Sequence, residues 1–468
     1  MSVAAETGRI GPLYRAVWRW HFYAGLFTAP FLLILALTGA LYLFDREIEG
    51  VVYRPLMTVE PGVSSIRPAA GERVALEAFP GHRVTRYEAP IAPDRAAEYE
   101  LSGPDGARRT VFVDPYRLTV LGSLNPDQRL MGVVSRLHGE LLIGRVGDLL
   151  VEFAACWTFV LLVTGLYLWW PRGRTGVGVL RPRLERGGRR FWRELHAVPA
   201  AWNAPVVAFL ILSGLPWSGF WGAQLARLGT LSPAMAPTPS FGAPAPSLPG
   251  AAPRPEAAHA QHGGDDGLPW TVRNGPAAPQ GSTGAPVLTL DGVVEAATAR
   301  GMVGERLWVY YPTEPGDVWW ASYAPARADG QRTLYLDPAT GAVLRDVRWS
   351  DYSSVGKATE FGVQTHMGEQ FGLPNKLLML TSCLLLAATV AAGLAAWWRR
   401  RPANAPAGRL FAPPPVPGYA APGVVVALAA ALGVVFPLVG ASLIVAVVGD
   451  ALWRRVERRP PALRTAPG

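Results

Sequence analysis

Cysteine is almost absent from this chain of 468 residues: it has two, Cys156 and Cys383, and both fall inside apolar runs. No extracytoplasmic disulfide is therefore available, and with no Cys-x-x-Cys-His sequence covalent attachment of a c-type haem is excluded. Charge is scarce inside the apolar runs and one-sided outside them. The formal net charge is +9. It is gathered at Arg15 and Arg19, in eight arginines between Arg172 and Arg193, at Arg399 to Arg401 and at Arg454 to Arg459. Basic clusters in short loops mark the cytoplasmic side of a membrane protein. The basicity is thus read as topology, and no nucleic-acid partner is expected. The first apolar run also lacks a short apolar core followed by a small-residue cleavage site, so it is expected as a retained span.

What the chain does have is apolar length. Half of its residues are hydrophobic and its mean hydropathy is +0.18. Several uncharged runs come near the ~20 residues that cross a ~30 Å hydrocarbon core. The expected class is an α-helical polytopic membrane protein. Its core is duplicated. Leu137-His138-Gly139-Glu140 returns as Thr365-His366-Met367-Gly368-Glu369. Measured from each histidine, glycines recur at +6 (Gly144, Gly372) and +27 (Gly165, Gly393), and a Trp-Trp pair ends the run (Trp169-Trp170, Trp397-Trp398). A second pair, His21 and His196, has a proline at +9 (Pro30, Pro205) and a Thr/Ser-Gly glycine at +18 (Gly39, Gly214).

The expected layout places a cytoplasmic tail at 1–16, a first span at 17–44 and an outside segment at 45–135. A histidine segment and second span follow at 136–170, then a basic cytoplasmic loop at 171–195 and a third span at 196–222. The second outside segment covers 223–365, with a Pro/Ala-rich insert at 231–287 holding 12 of the 44 prolines. Such composition cannot bury enough apolar surface to order itself. The fourth span with its histidine segment is 366–398, and a loop at 399–420 leads to the last apolar stretch, 421–453, and a tail at 454–468. That stretch is long and has arginines on both flanks, which favours a hairpin broken near Pro437, giving about six spans. Each outside segment ends in an alternating strand, an Asp-Pro turn (Asp114-Pro115, Asp337-Pro338) and a second strand, a β-hairpin signature. Residues 290–300 have helical spacing and are expected to pack on that small sheet.

With the N-terminus inside, His21 and His196 fall at the inner ends of spans and His138 and His366 at outer ends. Duplicated two-span units keep one orientation, so a pseudo-twofold axis along the membrane normal pairs His21 with His196 and His138 with His366. A facing imidazole couple supplies both axial ligands of a haem iron, and without attachment cysteines the haem is b-type. Two haem b groups form an electron path between a cytoplasmic or quinol donor and an outside acceptor. Zinc usually wants four ligands, which a couple with Glu140 or Glu369 nearby meets poorly; a proton relay is a third use of ionisable groups at membrane depth. Arg15, Arg19, Arg190 and Arg193 inside, and Arg136, Arg145, Lys357 and Lys376 outside, are candidate propionate partners or lipid-headgroup charges. His259 and His262, beside Asp265 and Asp266, are a candidate outside metal site; His82 has no telling context.

The WHFYAGL opening, LHGELLIG, the VDP and LDPATG hairpins, WSDYSSVGK and THMGEQFG together resemble the PepSY-associated transmembrane family. The resemblance covers nearly the whole chain outside the insert and tails. It implies a bacterial inner-membrane protein with small α+β PepSY-like periplasmic domains and both termini cytoplasmic. It also implies similarity to di-haem ferric-siderophore reductases of iron uptake. A fused flavin domain found in some relatives has no segment to occupy here, so the electron donor is expected to be separate. The alternative from the same resemblance is a non-redox membrane regulator or assembly factor of periplasmic proteases or enzymes.

Overall fold

In a hydrocarbon layer every backbone amide must find its partner within the protein, and a helix does this segment by segment. The computed structural model describes residues 11–171, 179–182, 187–231, 271, 278–402, 410–417 and 419–457. In chain order, α1 (Pro12–Tyr42) leads to α2 (Asp45–Val52), α3 (Pro68–Ala78) and four strands: β1 (Arg83–Glu88), β2 (Ala97–Ser102), β3 (Arg108–Val113) and β4 (Val120–Leu124). Helix α4 (Leu130–Glu140) carries His138, and α5 (Arg145–Trp169) follows. The pattern then repeats with α6 (Arg189–Gly214), α7 (Leu290–Thr298), β5 (Arg306–Tyr310), β6 (Trp319–Ala324), β7 (Arg332–Leu336), β8 (Val343–Arg348), α8 (Ser354–His366) and α9 (Leu373–Trp398). Two further helices are α10 (Gly423–Val435) and α11 (Pro437–Glu457).

Among the described residues four helices are long and apolar enough to cross a membrane: α1, α5, α6 (continued by a 3-10 turn to Trp217) and α9. The last apolar stretch does break at Pro437, whose ring ends α10 at Phe436. Helix α10 has 13 residues, about 20 Å at 1.5 Å per residue, short of a ~30 Å core. The turn is tight: a Cβ on Gly433 would lie 3.0 Å from Gly440 Cα. The hairpin packs on α5 through Phe159 against Phe436 (5.4 Å between ring centroids) and Trp157 Nε1 donating to Ser442 Oγ at 3.2 Å. By contact density the chain forms two compact units. One comprises Met1–Leu32, Glu152–Ala204 and Ala388–Gly468, the other Leu33–Val151 and Pro205–Ala387.

The second unit holds all eight strands. Both expected hairpins form, β3–β4 and β7–β8. Asp114 and Asp337 each cap their turn, accepting the N–H groups of Tyr116 and Arg117 and of Ala339 and Thr340. The segments expected at 45–135 and 223–365 share one sheet: β1 and β5 pair, and the order β4-β3-β2-β1-β5-β6-β7-β8 makes one antiparallel sheet, palindromic about that joint. The reason is burial. Tyr87, Tyr99, Val111, Val309, Ala321 and Leu334 line one face, and Ala75 of α3 with Leu290, Val293 and Ala297 of α7 cover them as a single core. The other face carries smaller apolar clusters around Phe112 and around Tyr335, and between them ion pairs tie the sheet to the helices that lead into the spans. Arg129, at the start of α4, pairs with Glu49 of α2 (2.7 Å) and Glu98 of β2 (2.8 Å), and Arg306 pairs with Asp45 (3.1 Å).

Candidate cofactor-binding site

Each of the four repeated histidines rests on a glycine of the other span in its half. A Cβ on Gly165 would lie 3.2 Å from His21 Cε1, and one on Gly393 would lie 2.9 Å from His196 Nδ1. In the second unit Gly39 and Gly214 face His138 and His366 in the same manner, at 3.3 and 3.6 Å. The recurring glycines are therefore seats: a Cβ would crowd the ring at Gly393, Gly165 and Gly39, and would touch it at van der Waals distance at Gly214.

A second regularity concerns Nδ1. That nitrogen lies 2.9 Å from Thr164 Oγ1 in His21, from Thr38 Oγ1 in His138, from Ser213 Oγ in His366, and from the Thr389 carbonyl in His196. A carbonyl only accepts, so His196 carries its proton on Nδ1. The three hydroxyls donate to carbonyls one turn back, Val160, Ile34 and Phe209. Each hydroxyl has spent its one hydrogen and accepts from the imidazole. All four rings are thereby in the Nδ1–H form. A metal-ligating histidine is oriented by just such a bond from its other nitrogen. Burial brings the His366 imidazole down to about 4, so it is neutral at physiological pH.

The structure brings His21 and His196 together, with ring centroids 6.3 Å apart and planes crossed at 75°. A ring nitrogen lies about 1.1 Å from its centroid and a histidine–metal bond is about 2.0–2.1 Å, so two imidazoles sharing one metal stand about 6.3 Å apart. Bis-imidazole ligation of one metal fits this couple. A four-ligand zinc site does not find its donors, since no group of three or more His, Cys, Asp or Glu that could hold a metal occurs among the described residues.

The remaining candidates are less engaged. Arg15, Arg145, Arg190 and Arg193 are exposed. Arg19 stacks on Tyr23 and donates to the Pro413 carbonyl, Arg136 to the Asp127 carbonyl, and Lys357 to the Ser350 carbonyl. Lys376 is paired with Glu47 at 2.8 Å. His82 lies within hydrogen-bonding reach of the Pro80 carbonyl. His259 and His262 lie outside the described residues. Sequence reasoning gave no role to Thr38, Thr164, Ser213 or Thr389. The signal was present for three of them as a hydroxyl residue directly before the seat glycine; before Gly393 stands Ala392, and a backbone carbonyl takes over. A family model described as PepSY-associated TM region matches residues 18–400. No curated protein matches the chain.

Proposed function

Because the chain belongs to the family of the PepSY-associated TM region, and two of its repeated histidines meet at a shared-metal separation, we propose that it is a membrane electron carrier with two b-type haems. His21 and His196 hold the inner one, His138 and His366 the outer. Electrons enter from a separate cytoplasmic reductase or a quinol and leave to a periplasmic acceptor, with ferric-siderophore iron as the acceptor class and the bacterial inner membrane as the site. When bound, such a group supplies reversible one-electron chemistry.

The protein's part is positional. The glycine seats bring the rings close to the helix axes, the Thr and Ser hydroxyls fix the tautomer, and an imidazole from each half would hold the group and leave no position on it open to the acceptor. Delivery to the acceptor is therefore outer-sphere, and the acceptor's iron needs no ligand from this chain. The observation that carries the reading is the His21–His196 separation of 6.3 Å combined with Nδ1 of both rings committed elsewhere.

Haem counts in four purified variants test it. His21→Ala and His196→Ala are expected to lose the same one of two haems, His138→Ala and His366→Ala the other. If His21→Ala and His138→Ala removed one and the same haem, the pairing is wrong. A wild-type protein that is colourless from haem-replete cells favours the non-redox regulator. Reoxidation of the reduced protein by a panel of ferric chelates then tests the acceptor class.

A further inference from the structure

The inner couple lies beside a cationic group that has no acidic partner among the described residues. Helix α9 seats His196 on Gly393, and Arg400 lies just past its end, with its amide bonded to the Trp397 carbonyl. Its guanidinium lies 5.4 Å from the Trp18 ring centroid and 5.2 Å from that of Phe22. Phe22 adjoins His21, and Trp18 is one turn before it on α1. Arg400 donates to the Phe411 carbonyl, while its buried Nε has no partner. Among the described residues no carboxylate pairs with Arg19, Arg399, Arg400 or Arg401. Desolvation and the neighbouring Arg189 both press Arg400 below the usual arginine range. A half-buried cation facing cations is unfavourable unless an anion joins it.

We propose that Arg400, held between Trp18 and Phe22, binds the carboxylate arm of the porphyrin gripped by His21 and His196. It is a cofactor-positioning residue, and the assignment rests on the di-haem reading above. Arginine suits the role because its planar fork meets a carboxylate with two hydrogen bonds. A phospholipid phosphate is the rival source of anion, and the experiment separates the two.

The test uses full-length His138→Ala protein, in which only the inner haem is expected, followed by spectroelectrochemical titration between pH 5 and pH 8. Arg400 near the iron favours the reduced state and keeps the carboxylate ionised, so the parent potential is expected to be nearly flat with pH. In Arg400→Gln the potential is expected to fall at pH 8. Without Arg400 burial raises the carboxylate pKa into the titrated range, so the potential is also expected to decline as pH rises from 5 to 7. Arg400→Lys, which keeps the charge, is expected to lie between, and serves if the glutamine variant does not accumulate. An inner haem with the parental potential and pH profile in both variants overturns the assignment. So does loss of co-purified phospholipid phosphorus with the potential unmoved, which assigns Arg400 to a headgroup. A His138→Ala protein holding no haem at all sinks the underlying reading as well.

Discussion

At the scale of single residues, the site depends on what is missing from four positions. Gly393 has no Cβ because one there would meet the His196 ring at 2.9 Å. Gly393→Val is expected to remove the inner haem and spare the outer, giving one haem per chain by pyridine haemochrome; retention of two contradicts the seat. Thr164→Val deletes the acceptor of His21 Nδ1. Losing such an orienting partner costs about 10–100-fold in metal affinity. One of the two haems is therefore expected to pass faster to apomyoglobin, with the other unaffected. The glycines and histidines were visible in the sequence because duplication repeats them at equal spacing. The hydroxyls were not, because their role depends on donating to the carbonyl one turn back, which leaves the oxygen free to accept. Spacing alone does not reveal the direction of a hydrogen bond.

At the scale of elements, the helices bearing His138 and His366 are fixed by polar contacts to the sheet. Arg129, at the start of α4, satisfies Glu49 and Glu98, both mostly buried. Arg129→Ala leaves two buried carboxylates unpaired, a loss on the order of 3–5 kcal/mol. It is expected to lower thermal stability and to loosen the outer haem before the inner; an unchanged melting temperature contradicts this. On the opposite edge, Asp346 bridges Arg332 (2.6 Å) and Arg348 (2.7 Å). The hydrogen bond from Arg332 leads in holding its carboxyl down at about 2. A carboxylate with a lowered folded-state pKa stabilises above its ordinary value, about 4, and that contribution fades as pH falls toward about 2. Asp346→Asn is expected to be less stable at pH 7, with the difference from wild type shrinking between pH 4 and pH 2. Spans and turn hairpins were legible because length and Asp-Pro chemistry are local. Strands β1, β2, β5 and β6 were not, since no Asp-Pro turn marks their hairpins, and the β1–β5 joint is made between residues far apart in sequence.

At the scale of the whole molecule, duplication explains more than any motif. It joins two segments, one from each copy, in one palindromic sheet and sets His21 against His196 from opposite halves. The sequence showed that there were two copies, but their meeting at β1–β5 comes from a shared apolar face that neither half buries alone. Val309, fully buried at that joint, is the position to break. Val309→Asp is expected to remove hydrogen-exchange protection from β2 and β7 together; loss confined to β5–β8 contradicts a common core. The central claim is that His21 and His196 grip one iron. Low-temperature EPR of oxidised His138→Ala protein tests it most directly, because the couple's rings cross at 75°. One low-spin ferric haem per chain with the strongly anisotropic signal of nearly perpendicular imidazoles is expected. A haem-free protein, or a high-spin iron with an open axial position, would contradict it.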